Sequence, residues 1–303
     1  MNVLEVNNIS KQYDGVKAVD GISFAVKEGQ IFGLLGPNGA GKTSTMRMIM
    51  NITAPDSGEI RLFGEPFHDA LKQRIGYLPE ERGLYPKMKV LDHLAFLGEM
   101  KGMAAKTAYA QARQWLERVG LAEWADKKVQ ELSKGMQQKV QFVGTLLHQP
   151  DLVIMDEPFS GLDPLNTKFL KDILLEYKRS GKTIILSTHL MDQAEKLCEA
   201  ICLINKGRVA LSGSLAEIKQ KFSHNVVNLE YDGDGTFVAS LPMVERVNDY
   251  GHAMHITLKD GADPNALLKA VVEQGLRVYR FEVAETTLDE IFIDVVGGQH
   301  GQN

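Results

Sequence analysis

A chain of 303 residues is long enough for one large domain and a small one. Hydrophobic residues make up 44% and charged residues 24%, with a net charge of -5, values ordinary for a globular protein and contrary to general nucleic-acid binding as the main task. No apolar run approaches the ~20 residues that span a bilayer, and the opening MNVLEVNNISKQY has neither the basic head nor the apolar stretch of a secretory signal. A membrane role therefore has to come through a partner. The two cysteines, Cys198 and Cys202, make no disulfide framework and no zinc site by themselves, and they read as small buried residues of a cytosolic protein.

In chain order, Val3 to Val6 and Ala18 to Val26 alternate apolar and polar residues around the turn signals Asp14-Gly15 and Glu28-Gly29, the pattern of antiparallel strands. Three short, continuously apolar runs follow, Ile31 to Leu35, Leu152 to Met155 and Thr183 to Leu186. They suit strands of a parallel sheet buried on both faces. Between the first two lies a helical insert, about residues 90 to 145, rich in Ala, Leu, Met, Lys, Glu and Gln. The texture shifts after about residue 221. Val226 to Tyr231, Ala253 to Leu258 and Val278 to Val283 read as strands, and Asp263-Pro264 opens a helix through about Gln274. Thr287-Leu288-Asp289-Glu290 resembles a capping box that opens a last helix with Leu288, Ile291, Phe292 and Val295 on one face. This predicts a small α+β domain over 222–297 and a disordered tail over 298–303.

Gly36-Pro37-Asn38-Gly39-Ala40-Gly41-Lys42-Thr43-Ser44 matches the pattern G-x-x-x-x-G-K-[ST], between an apolar strand and a helical run, Ser44 to Met50. Glycines let successive backbone N–H groups surround phosphate oxygens, and the helix start adds partial positive charge. Lys42 is expected to reach the β- and γ-phosphates, and the Thr43 hydroxyl to ligate Mg²⁺. Asp156-Glu157 ends the apolar run from Leu152. Asp156 is a candidate Mg²⁺ ligand, and Glu157 a candidate for polarising the attacking water. A guanine-reading Asn-Lys-x-Asp stretch is missing, since Asn205-Lys206-Gly207-Arg208 lacks the Asp.

From here the motif order resembles the ATP-binding subunits of ABC transporters, over about residues 2 to 220. Leu132-Ser133-Lys134-Gly135-Met136-Gln137-Gln138-Lys139 resembles the family's signature, and Pro158-Phe159-Ser160-Gly161-Leu162-Asp163-Pro164 its D-loop. His189 matches the switch histidine, Tyr13 the aromatic that stacks on adenine, and Tyr77-Leu78-Pro79-Glu80 the loop that usually carries glutamine. The resemblance implies an α/β P-loop ATPase domain over 1–221, with a mixed sheet, an antiparallel β subdomain and the helical insert, followed by the small C-terminal α+β domain. It further implies ATP sandwiched between the Gly36–Ser44 loop of one copy and Ser133 and Gly135 of a second, with His189 near the γ-phosphate or water. Asp163 would couple the two sites, and the implied homodimer would sit on separate transmembrane permease subunits at the cytoplasmic face of the inner membrane.

Two departures stand out. Glu80 replaces glutamine, keeping an oxygen for Mg²⁺ but adding a charge, and Lys134 and Met136 replace the commoner Gly and Gln of the signature. The ending Glu285 to Phe292, with Gly76 to Tyr85, resembles the drug-, sodium- and antibiotic-exporter branch. Leu84, Tyr85, Met88, Val90, Leu91 and Phe96 are candidates for a cleft that takes a short helix of the permease, against the plainer reading that they are core. A soluble ABC-type ATPase acting on DNA or ribosomes and a nucleotide-sensing regulatory module are the competing functions. The first typically needs two cassettes, a coiled coil or zinc-binding cysteines, none of which this chain carries.

Overall fold

The computed structural model describes all residues except 82, 223–225, 260, 285 and 298–303. Arg82 and Glu285 of the exporter-like stretches and the tail expected to be disordered lie outside the described residues. The chain forms two compact units, Met1–Ser214 and Leu215–Asn303. The division precedes the expected 221/222 boundary by one short helix, Leu215–Lys221, which has its own buried residues Leu215 and Ile218.

The first unit opens with a hairpin, β1 (Asn2–Tyr13) and β2 (Val16–Lys27). β2 buries alternate residues, as half-exposed antiparallel strands do. After β3 (Ile31–Leu35) and α1 (Lys42–Ile49), β4 (Ser57–Leu62) and β5 (Glu65–Pro66) join the hairpin in an antiparallel sheet ordered β2-β1-β4-β5. Then come β6 (Ile75–Leu78), α2 (Val90–Met100), α3 (Ala105–Arg118), α4 (Lys134–Leu146), β7 (Leu152–Asp156), α5 (Pro164–Arg179), β8 (Thr183–Thr188), α6 (Met191–Leu197), β9 (Ala200–Asn205) and β10 (Arg208–Ser214).

The second sheet runs β10-β9-β3-β8-β7-β6, parallel throughout except for the β9–β10 hairpin. Every residue of β3, β7 and β8 is buried, which is why their sequences are apolar without alternation. Asn205-Lys206-Gly207-Arg208, set aside as a guanine reader, turns the β9–β10 hairpin. Lys206 and Gly207 both have positive φ, 48° and 78°, as a type I′ turn requires.

One core fills the space between the two sheets and α1. A separate core joins α2, α3 and α4 and includes Leu94, Ala112, Leu116, Val140 and Val143. Val90 and Leu91 belong to this core, which removes them from the expected docking cleft, whereas Tyr85 and Phe96 are 49% and 38% exposed. The reason is helical spacing: Val90, Leu91 and Leu94 share the face turned to α3 and α4.

In the second unit, α7 (Leu215–Lys221) leads to β11 (Val226–Asp232), β12 (Val244–Asp249), β13 (Ala253–Leu258), α8 (Pro264–Glu273), β14 (Arg277–Ala284) and α9 (Leu288–Gly297). The antiparallel sheet runs β12-β13-β11-β14 and packs its Val227, Leu229, Met254 and Ile256 with Leu267 and Val271 of α8. The capping box at Thr287 forms: the Thr287 N–H donates to Glu290 Oε2 at 2.8 Å, and the Glu290 N–H donates to Thr287 Oγ1 at 3.3 Å.

Candidate active site

Four neighbouring parallel strands, β3, β8, β7 and β6, deliver their carboxyl ends side by side. Those ends carry Gly36–Ser44, His189, Asp156-Glu157 and Glu80. The register pairs Leu35 with Thr188, Asp156 with Ser187, and Leu78 with Met155, so residues far apart in sequence arrive at one edge.

The loop after β3 closes on itself. Gly36 and Gly41 have φ of 146° and 109°. A Cβ on Gly36 would lie 2.1 Å from the Ile204 carbonyl oxygen, and one on Gly41 would lie 2.5 Å from that of Ala18, so neither position admits a side chain. Lys42 begins α1, and its ammonium donates to the carbonyls of Gly36 at 2.8 Å and Pro37 at 3.2 Å. The Gly207 N–H donates to Ala40 O at 2.9 Å and fixes the loop against the β9–β10 turn. Asn38 and Gly39 are exposed, and Thr43 and Ser44 are half-buried at the helix start, where N–H groups have no partner one turn earlier. Tyr13 stands opposite Val16 at the end of the β1–β2 hairpin, and Val16 lies two residues before Ala18, whose carbonyl faces Gly41. Its ring is 40% exposed, with the Lys11 ammonium 5.8 Å from the ring centroid.

Beside this loop one carboxylate oxygen is shared. Glu157 Oε1 lies 3.7 Å from the Lys42 ammonium and 2.9 Å from His189 Nδ1. Lys42 is only 6% exposed; burial lowers its pKa, and the Glu157 carboxylate, followed by Asp156 and Glu80, opposes that shift. Glu157 has φ of 47°, a left-handed conformation costly for a residue with a side chain. It is held there in part by Ser187, whose hydroxyl accepts the Glu157 N–H at 3.0 Å and donates to Asp156 Oδ1. Sequence reasoning missed Ser187; its signal was a hydroxyl at the end of a buried strand, next to His189.

Asp156 is 2% exposed, and its Oδ2 has no hydrogen-bond partner among the described residues. A buried carboxylate oxygen without a partner is costly unless a cation or donor reaches it. Asp156 and Glu80 line one cleft, and together with the half-buried Thr43 at the start of α1 they are hard oxygen donors of the kind that would hold Mg²⁺.

Ser133 is the N-cap of α4, its hydroxyl accepting the Met136 N–H at 3.3 Å, and Gly135 lies in the first turn. Asp163 caps α5, accepting the Asn166 N–H at 2.9 Å, a bond that holds its carboxyl below the usual carboxylate range. Among the described residues, no hydrogen bond or ion pair joins Ser133, Gly135 or Asp163 to the Gly36–Ser44 loop. Lys134 does line one cleft with Glu80, Asp156 and Glu157, so two of the three residues that depart from the family pattern, Glu80 and Lys134, face the same space.

Residues 19–160 match the ABC transporter family, and residues 213–296 match the C-terminal domain of DrrA1-3-like ATP-binding proteins. The ABC transporter ATP-binding protein YhaQ of Bacillus subtilis is 41% identical over 97% of this chain and 99% of its own length. The Nod factor export ATP-binding protein I of Ralstonia nicotianae is 35% identical over 97% of this chain and 94% of its own. A solved ATP-binding subunit of an ABC transporter superposes with a TM-score of 0.68 at 32% identity, covering 73% of this chain and 93% of that one. Matches over nearly the whole length, on a site built from a phosphate loop, an acidic strand end and a histidine, establish that the chain belongs to the ATP-binding, ATP-hydrolysing subunits of ABC transporters, in their drug- and antibiotic-exporter branch.

Proposed function

We propose that the chain powers export through separate membrane-spanning subunits, working as a homodimer that holds ATP between its copies. The observation that carries this reading is the Glu157 carboxylate oxygen shared by Lys42 and His189 at the mouth of the phosphate loop. In this reading the loop N–H groups and Lys42 bind the β- and γ-phosphates of ATP, and Tyr13 stacks on the adenine. Glu157 orients and polarises the attacking water, with His189 fixing the carboxylate beside it. Thr43, Asp156 and Glu80 hold Mg²⁺, which neutralises phosphate charge when bound. Ser133 and Gly135 bring a second helix start, with its unpaired N–H groups, to the γ-phosphate bound by the other copy, while Asp163 links the two sites. The name of the Nod factor relative supports outward transport. The exposed Tyr85 and Phe96, edge to face at 5.6 Å, provide an aromatic anchor for a permease helix.

The test is recovery of a tagged Glu157→Gln protein from detergent-solubilised native membranes with ATP and Mg²⁺. Stoichiometric recovery of a polytopic membrane protein is the expected result, and Tyr85→Asp in the same background is expected to abolish it while leaving ATP binding intact. Recovery of soluble dimers alone, or of ribosomes or DNA, removes the transport reading and leaves the ATPase standing.

A further inference from the structure

Two glutamines of α4 reach the loops that carry the hydrolytic carboxylates. Gln138 Nε2 donates to the carbonyls of Pro158 at 3.1 Å and Ser160 at 3.2 Å. Gln141 Nε2 donates to the carbonyls of Pro79 and Glu81, both at 3.3 Å. A side-chain amide has two N–H donors, and each amide spends both on one loop. The Gln141 pair straddles Glu80. The Gln138 pair begins at Pro158, immediately after Glu157. Three residues apart, the two side chains lie on one face of α4 and line the same cleft as Glu80, Asp156 and Glu157.

The chemistry requires a donor at both places. All four partners are carbonyl oxygens in non-helical segments; the bonds to Pro158 and Pro79 are part-buried and those to Ser160 and Glu81 are exposed, so a lost amide frees both loops from α4 and leaves one part-buried carbonyl on each without its donor. A carboxylate of the same shape would set oxygen against oxygen. The segment at Glu157 also needs holding, since its φ of 47° has to be maintained by its surroundings. The same helix begins at Ser133 and Gly135, so one rigid element carries the signature at its start and both loop clamps in its middle turns.

We propose that Gln138 and Gln141 are positioning residues for ATP hydrolysis: through them α4 sets Glu157 and Glu80, so that movement of the signature helix alters the hydrolytic geometry of its own chain. This inference rests on the assignment of Glu157 and Glu80 to the hydrolytic site. A carboxylate displaced by about 1 Å costs roughly 100-fold in rate, whereas among the described residues no hydrogen bond joins the phosphate loop to either glutamine.

The experiment measures kcat, KM for ATP, Kd for ATP and melting temperature of the full chain carrying Gln138→Leu, Gln138→Glu, Gln141→Leu or Gln141→Glu, with Glu157→Gln in parallel. Leu removes the donors. Glu keeps the shape and reverses the donor, so a packing defect is told apart from a lost donor even where one variant of a pair folds poorly. The expected result is a kcat lowered roughly 10- to 100-fold in both variants, with KM and Kd for ATP within about twofold of the starting protein. A kcat unchanged within twofold overturns the inference, as does a parallel fall of kcat, ATP affinity and melting temperature. If Glu157→Gln hydrolyses ATP at the original rate, the site assignment itself falls and takes this inference with it. An inactive Glu157→Gln beside unaffected glutamine variants overturns the positioning role alone.

Discussion

Ser187 shows how one hydroxyl can serve two acids. Its oxygen accepts the Glu157 N–H and its proton goes to Asp156 Oδ1, while Asp156 Oδ2 is left for a cation. Ser187→Ala would strip the Glu157 N–H of its acceptor and Asp156 of a donor at a site where both are shielded from water. The expected cost is about 1–3 kcal/mol of stability. With Glu157 freed from part of what holds its left-handed backbone, kcat is expected to fall at least tenfold while Kd for ATP stays within a fewfold. Urea titration and steady-state ATPase assays check both, and an unchanged kcat would show that Glu157 needs no help from this hydroxyl. The residues at this edge divide by how they could be read. Lys42, Thr43 and Asp156 follow from the phosphate-loop spacing and an acidic end to an apolar strand, because phosphate chemistry constrains residue type at each step, whereas His189 follows from the family resemblance. Gln138 and Gln141 act through backbone carbonyls of distant loops, and no local spacing announces a contact of that kind; Ser187 left only the fainter signal of a hydroxyl at the end of a buried strand.

At the scale of elements, α2 carries an unusual group. His93 is fully buried, neither ring nitrogen has a hydrogen-bond partner among the described residues, and the Tyr85 ring stands edge-on at 5.7 Å. Burial disfavours the imidazolium and pushes the pKa of His93 down from 6.5 to about 4. The unfolded chain therefore takes up a proton between pH 6.5 and 4 that the folded chain refuses. The stability from the neutral ring is full above pH 6.5 and is lost as pH falls toward 4, by about 3 kcal/mol at most. His93→Leu, which keeps the volume apolar, is expected to flatten the decline of urea-unfolding free energy between pH 7 and 5 relative to the original chain; an identical slope would place the titration elsewhere. The elements themselves were legible where burial was uniform. β3, β7 and β8 are continuous apolar runs, α8 announces itself with Asp263-Pro264, and α9 with its capping box. β12 was not legible, because only Val244 and Val247 of its six residues are apolar and just Val244 is buried. For Val90 and Leu91 the sequence left a docking surface and the core both open, and the core reading holds, because an apolar run at a helix start does not say which neighbour covers it.

Over the whole molecule, each of the two compact units has a core of its own among the described residues. The first is built on Met1–Ser214, and the second closes around Val227, Leu229, Ile256, Leu267 and Val271. The second is small, and one helix, α8, supplies Leu267 and Val271, both fully buried. A charge placed there has no route to water and no partner. Leu267→Asp combines a lost apolar side chain with an unpaired carboxylate, about 3–5 kcal/mol, a large fraction of what a unit of this size can hold. Because the phosphate loop and the four strand ends that surround it lie wholly in the first unit, that loss is expected to unfold the second unit alone. Calorimetry of Leu267→Asp should then show a low-temperature transition that ATP does not shift, followed by one that ATP raises, since a ligand stabilises only the unit that binds it. ATP binding measured below the second transition should match that of the original chain. A single cooperative transition, or lost ATP affinity, would mean that the nucleotide site depends on the integrity of the C-terminal unit, giving that unit a direct part in the ATPase cycle.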